Sequence, residues 1–277
     1  MSTYVIADIH GCYREFMQLL ERVKFNDKTD RMYVLGDIID RGPGSQQVFD
    51  WVYARKDKNV RMCKGNHEDL FCQFVDFYDM QQKVFKIMKR YRLESLDISW
   101  ILTSDMKAED KELLLEYYNS LSQDIAQSYD KYGTIGQLLS EGKSMRYIHK
   151  MKSFFEELPY YFKVRKKGKT FYLVHAFISE PVSQCDRHAM IWSRAYPDGE
   201  PGIPGKVIIY GHTPTVNHRY NGAGGVIVDK QNGAVTVNID CGCCWRTENS
   251  RLALLRLDDM KIYYSNIYRY NYVPNVE

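Results

Sequence analysis

The stretches YVIADIHG (4–11), YVLGDIIDRG (33–42) and VRMCKGNHE (60–68) share one plan. Each begins as a short run rich in apolar and β-branched residues and stops at polar, metal-capable side chains next to glycine. Short apolar runs bounded by such turn signals read as buried strands. Between the first two, residues 13–24 place Phe16, Leu19, Leu20 and Val23 on one face at helical spacing. Residues 45–55 read as a second helix, and a third starts near Glu68. Strand and helix therefore alternate as βαβαβ, which predicts a parallel sheet with right-handed crossovers.

Outward from this unit the pattern changes. Residues 79–158 carry few strand signals and long amphipathic stretches, such as KELLLEYYNSL and FFEEL. They read as a helical insertion within a single domain covering 1–277. Strands resume at 171–174, 207–210, 226–228 and 235–237, the last two joined by a turn over 229–233 that contains Asn232-Gly233. Residues 252–257 and 261–264 predict a closing hairpin, and 197–205 a Pro/Gly-rich loop. The expected fold class is α/β: a two-sheet sandwich flanked by helices, with a helical insertion.

Bulk properties set bounds. Apolar residues make up 44% of the 277, enough for a large core, and a net charge of +3 gives no reason to expect nucleic acid or an anionic membrane. The N-terminus has no basic stretch followed by a long apolar run, and no segment reaches the ~18 apolar residues of a spanning helix. Seven cysteines, an odd number, together with that N-terminus, read as reduced thiols in a cytoplasmic protein.

The chemistry lies just past five strands. The first leads to Asp8 and His10, the second to Asp37, Asp40 and Arg41, the third to Asn66 and His67, the fourth to His175 and the fifth to His212. In open α/β sheets the carboxyl ends of strands are where ligands bind. A single Asp after a strand is usually a helix N-cap; five metal-capable ends in sheet order are not explained that way. Imidazoles, carboxylates and one amide carbonyl suit manganese, iron or zinc better than calcium or magnesium.

Together, Asp8-Ile9-His10-Gly11, Gly36-Asp37 with Asp40-Arg41-Gly42, Gly65-Asn66-His67-Glu68, Val174-His175-Ala176 and Gly211-His212-Thr213-Pro214 resemble the calcineurin-like metallophosphoesterases. The Asp-Arg-Gly form is similar to the bacterial and phage type of serine/threonine protein phosphatase. The resemblance implies two divalent metal ions, manganese first, with iron, zinc or nickel also fitting. Asp8, His10 and Asp37 would hold one, and Asp37, Asn66, His175 and His212 the other. His67 would be the general acid oriented by Asp40, and Arg41 and Arg194 would grip phosphate. A hydroxide activated by both metals would attack phosphorus directly, with no phosphoenzyme.

The implied substrate is a phosphoprotein or small phosphoester, phosphoserine or phosphothreonine first. Bacterial diadenosine tetraphosphatases share the same motifs and are the alternative, and a non-catalytic metal-binding scaffold is a third reading. Three positions depart from the family pattern: Ala7 and Phe177 replace glycines, and Lys64 stands where an arginine is common. Cys241 to Cys244 have no second cysteine pair nearby and read as a strand end beside the cleft. His149, His188 and His218 lack ligand spacing, although His188 is near Trp192 and Arg194 in sequence. Tyr117, Tyr118, Tyr129 and Tyr132 read as packing between helices, or as a lid over the metal edge.

Overall fold

The computed structural model describes residues 1–121, 133–194 and 202–266. Tyr129, Tyr132 and most of the 197–205 loop lie outside these. The chain forms two compact units, one of Met1–Asp69 with Ser153–Glu277 and one of Leu70–Lys152.

The first unit holds two five-stranded mixed sheets. Strands β1 (Thr3–Ile6), β2 (Arg31–Val34) and β3 (Val60–Met62) are parallel, linked through α1 (Tyr13–Arg22) and α2 (Ser45–Tyr53). The hairpin of β9 (Ala253–Arg256) and β10 (Lys261–Tyr264) extends this sheet antiparallel beside β1, in the order β10-β9-β1-β2-β3. The second sheet runs β4-β5-β6-β8-β7, built from β4 (Tyr161–Lys166), β5 (Lys169–Val174), β6 (Val207–Tyr210), β7 (Ile227–Gln231) and β8 (Ala234–Asn238). Period-two alternation decides what the sheets bury. Val5, Ala7, Tyr33, Leu35 and Leu255 from the first sheet form one core cluster with Phe171, Leu173, Val207, Ile209 and Val237 from the second. The architecture is the α/β two-sheet sandwich expected from the sequence.

Strand β4 had no clear sequence signal. Its YFKVRK is half charged, and as an edge strand it is only partly buried, so tertiary pairing to β5 decides it. The turn between β7 and β8 is also tighter than the expected 229–233. Asn232 and Gly233, at φ +49° and +76°, make a two-residue connection whose positive φ values match the strand twist.

Helix α3 (Asn66–Tyr91) begins in the first unit and runs on into the second, which continues with α4 (Ile98–Thr103), α5 (Ala108–Leu121) and α6 (Thr134–Ser140). This unit has its own core of Val84, Ile87, Ile101, Met106, Leu114 and Tyr117. Tyr117 stacks on Phe77 at 5.5 Å and accepts a hydrogen bond from Gln81, whereas Tyr118 is exposed. The unit's bounds differ from 79–158 at both ends. After Lys152 the end of α7 (Met145–Glu156) packs in the first unit, with Phe154 and Phe155 5.8 and 5.6 Å from Phe49. Among the described residues no helix is long and apolar enough to cross a membrane.

Candidate active site

Every sequence-predicted ligand lies just beyond the carboxyl end of β1, β2, β3, β5 or β6. The loops there are tight. Asp8, His10, Asp37, Asp40, Arg41 and His212 all have φ between +44° and +68°. Left-handed conformations in non-glycine residues cost about 1–3 kcal/mol each and persist only where the surroundings hold them. Here they turn nearby side chains toward one point. Gly65 is required for a related reason: a Cβ there would run into Asp37 Oδ1.

Asp37 sits at that point. Its Oδ2 lies 3.5 Å from His10 Nε2, 3.5 Å from His175 Nε2 and 3.9 Å from His67 Nε2, and its Oδ1 accepts the His67 backbone N–H at 3.0 Å. Burial alone would raise its pKa, but the surrounding histidines outweigh burial and hold the carboxylate well below its usual range.

The second partner of each imidazole fixes its tautomer, because a backbone carbonyl can only accept. His175 Nδ1 donates to Leu35 O at 2.7 Å, so its Nε2 carries a lone pair. His212 Nε2 donates to Trp192 O at 3.1 Å, leaving the lone pair on Nδ1. Those two nitrogens stand 3.2 Å apart, each 3.0 Å from Asn66 Oδ1. Three acceptors with no proton between them converge beside the Asp37 carboxylate. Burial pushes the His175 pKa down, and that of His212 to about 3, so neither ring readily supplies a proton. Such an arrangement fits a cation, and mixed N/O donors fit a first-row divalent metal.

The other side of Asp37 is different. His10 Nδ1 donates to Ile39 O at 2.8 Å, and its Nε2 lone pair accepts from Arg41 Nη1, also at 2.8 Å. Arg41 Nη2 reaches His67 Nε2 at 3.1 Å, and His67 Nδ1 donates to Asp40 Oδ2 at 2.7 Å. Burial alone would lower the His67 pKa; Asp37 and the bond to Asp40 outweigh it and raise the value above the ordinary 6.5. Asp8 stands apart from these close sets, its carboxylate accepting the His212 backbone N–H at 3.0 and 3.1 Å. Burial, with Asp240 and Asp37 nearby, raises its pKa. Arg194 is exposed, and its Nη1 donates to His212 O at 3.3 Å.

The carbonyls of Leu35, Ile39 and Trp192 could not be read from the sequence, since any residue supplies a carbonyl. Glu68 was visible but had no assigned part. It is fully buried and accepts the backbone N–H groups of Asp37, Ile38 and Gly65 at 2.8, 2.9 and 3.0 Å, tying the loop after β2 to the loop after β3. Cys243 is brought to Cys12 and Glu15 rather than to its sequence neighbours, and His149 pairs with Asp79 at 2.8 Å.

The family model of the calcineurin-like phosphoesterases matches residues 1–227. The chain belongs to this family, and it is a metal-dependent phosphoester hydrolase. More particularly, it is 26% identical over 286 residues to the symmetrical bis(5'-nucleosyl)-tetraphosphatase of Erwinia tasmaniensis, covering 95% of this chain and 96% of that protein. It is 52% identical to the enzyme of the same name from Buchnera aphidicola, over 68 residues that span 24% of each chain. Among solved structures, a protein serine/threonine phosphatase from Saccharomyces cerevisiae superposes with a TM-score of 0.57 at 13% identity, over 99% of this chain and 82% of that one, a likeness of fold.

Proposed function

We propose that this enzyme hydrolyses dinucleoside polyphosphates, cutting a dinucleoside tetraphosphate into two nucleoside diphosphates. The observation that carries this reading is that relatives aligned over nearly the whole of both chains bear that activity in their names. The protein phosphatase reading, placed first by the Asp-Arg-Gly motif, becomes second. In this reading the helical unit is an insertion within one catalytic domain.

Two divalent cations, manganese first, held by Asp8, His10 and Asp37 and by Asp37, Asn66, His175 and His212, would polarise phosphoryl oxygens and bring the pKa of a water toward neutrality. Arg41 has a distinct task. Its two terminal nitrogens already point as a fork at two acceptors, His10 Nε2 and His67 Nε2. A phosphate offers the same two-acceptor geometry with full negative charge, so it can take over the fork. That exchange frees His67 Nε2 to carry a proton while Asp40 keeps Nδ1–H in place, the arrangement of a general acid. Water attacks an inner phosphorus, the bond from that phosphorus to the bridging oxygen breaks, and the departing diphosphate keeps the electron pair. A terminal phosphate has a pKa of about 6, so this leaving group needs far less help from His67 than a serine alkoxide would.

The deciding experiment follows diadenosine tetraphosphate and a phosphothreonine peptide in parallel, with added Mn²⁺ and with a chelator. ADP as sole nucleotide product, with kcat/KM at least ~10-fold above the peptide's, a gap of about 1.4 kcal/mol in transition-state binding, is the expected result. Phosphate release from the peptide with the dinucleotide untouched would overturn the substrate.

A further inference from the structure

Outside the metal ligands, the rim of the second sheet gathers cations and aromatic rings that no step above uses. Helix α8 (Arg187–Trp192) is tied to the site at two points: Ala176, next to His175, donates its N–H to Met190 O, and Trp192 O holds His212. From His212 a line of rings leads outward. The Trp192 ring stands edge-on to His212 with centroids 6.4 Å apart, and exposed His188 lies nearly parallel to Trp192 at 5.9 Å and 20°. At the same rim Tyr161 pairs with Val174, which puts Tyr160 level with His175. Arg187 lies 5.4 Å from the Tyr160 ring and Lys64 Nζ lies 5.5 Å from it. Lys64 is only 6% exposed. Among the described residues neither Lys64 nor Arg187 has a carboxylate partner. A largely buried lysine without a counter-ion can take an anion as its partner.

We propose that this rim is the nucleoside subsite, with the base resting on His188 and Trp192 and with Arg187 and Lys64 supplying charge for the phosphates on the same arm. The inference rests on the dinucleotide reading and names which residues select for it. Charge complementarity singles out the occupant. A phosphopeptide brings one phosphate, whereas a nucleoside polyphosphate brings several together with a flat base that can stack on aromatic side chains. The plainer role for the His188–Trp192 pair is an i, i+4 contact that steadies a short helix.

The test uses inhibition of p-nitrophenyl phosphate hydrolysis by ADP and by pyrophosphate, which carry two phosphates each and differ by the nucleoside. In the unmodified enzyme ADP should have a Ki at least ~10-fold below that of pyrophosphate, within the range base stacking gives. His188→Ala should erase that ratio, and His188→Phe should restore it. Arg187→Ala should raise both Ki values and lower the dinucleotide's kcat/KM through KM. Equal inhibition by the two ligands in the unmodified enzyme overturns the subsite, even if diadenosine tetraphosphate is cleaved. A parallel rise of both Ki values in His188→Ala also overturns it, because that is what a merely structural pair would give. If the dinucleotide is not cleaved but the ADP preference exists and depends on His188, the subsite stands and the substrate reading fails.

Discussion

The two flanks of Asp37 contrast in what they lack. On the flank of Asn66, His175 and His212, three lone pairs face each other with no donor among them. On the flank of His10 and His67, the Arg41 guanidinium already spans the imidazoles. One flank asks for a cation outright. The other holds a permanent cation that can move its hydrogen bonds to phosphate. Imidazole geometry alone therefore does not define the work of a site; the position of the ring proton does, and the acceptor behind each ring sets it, a backbone carbonyl for His10, His175 and His212 and the Asp40 carboxylate for His67.

Asp37 is the group both flanks share, and removing it should produce the largest effect. Asp37→Asn keeps the shape but loses the charge that faces His10, His67 and His175. Metal content by atomic absorption should fall on both flanks, and kcat/KM should drop by more than ~10³-fold, the scale of several kcal/mol lost from transition-state charge stabilisation. Retained metal with near-normal turnover would remove Asp37 from the shared position.

Next in size, His67→Asn should divide substrates by leaving group. A phosphothreonine peptide or other alkyl phosphate should lose ~10²–10⁴-fold in kcat, the range for a lost general acid. Diadenosine tetraphosphate, with its less basic leaving group, should lose far less. Equal losses for both would show that His67 works by holding phosphate rather than by giving a proton.

The smallest effect sharpens the contrast most directly. In chelator-treated protein followed by NMR, the His67 ring should titrate above the ordinary 6.5, and the His212 ring at about 3. The signs differ. His67, raised in the fold, contributes stability that is complete below about 6.5 and lost as pH rises through its folded value. His212, lowered in the fold, is neutral at pH 7 and destabilises the native state as acid forces a proton onto it. A His212 midpoint near 6.5 would mean that its lone pair does not face the converging acceptors.

Much of this arrangement was legible in the chain. The candidate ligand positions Asp8, His10, Asp37, Asn66, His175 and His212 follow from strands that end at polar residues, because an alternating strand delivers its final side chain to a fixed edge. The βαβαβ start was legible for the same kind of reason, since apolar periodicity reports burial directly. What stayed hidden depends on partners distant in sequence. Strand β4 is charged and half exposed, so only pairing with β5 makes it a strand. The rim of Lys64, Tyr160, Arg187, His188 and Trp192 joins three separate segments that no local pattern connects. Thus the sequence by itself determined which side chains could bind metal and on which edge they stand. Tertiary structure decided which nitrogen of each imidazole offers its lone pair, which flank of Asp37 is free of a cation, and what lines the approach. The physical reason is that a side chain's chemical type is local, whereas its proton, its charge and its neighbours are set by groups the fold brings from elsewhere.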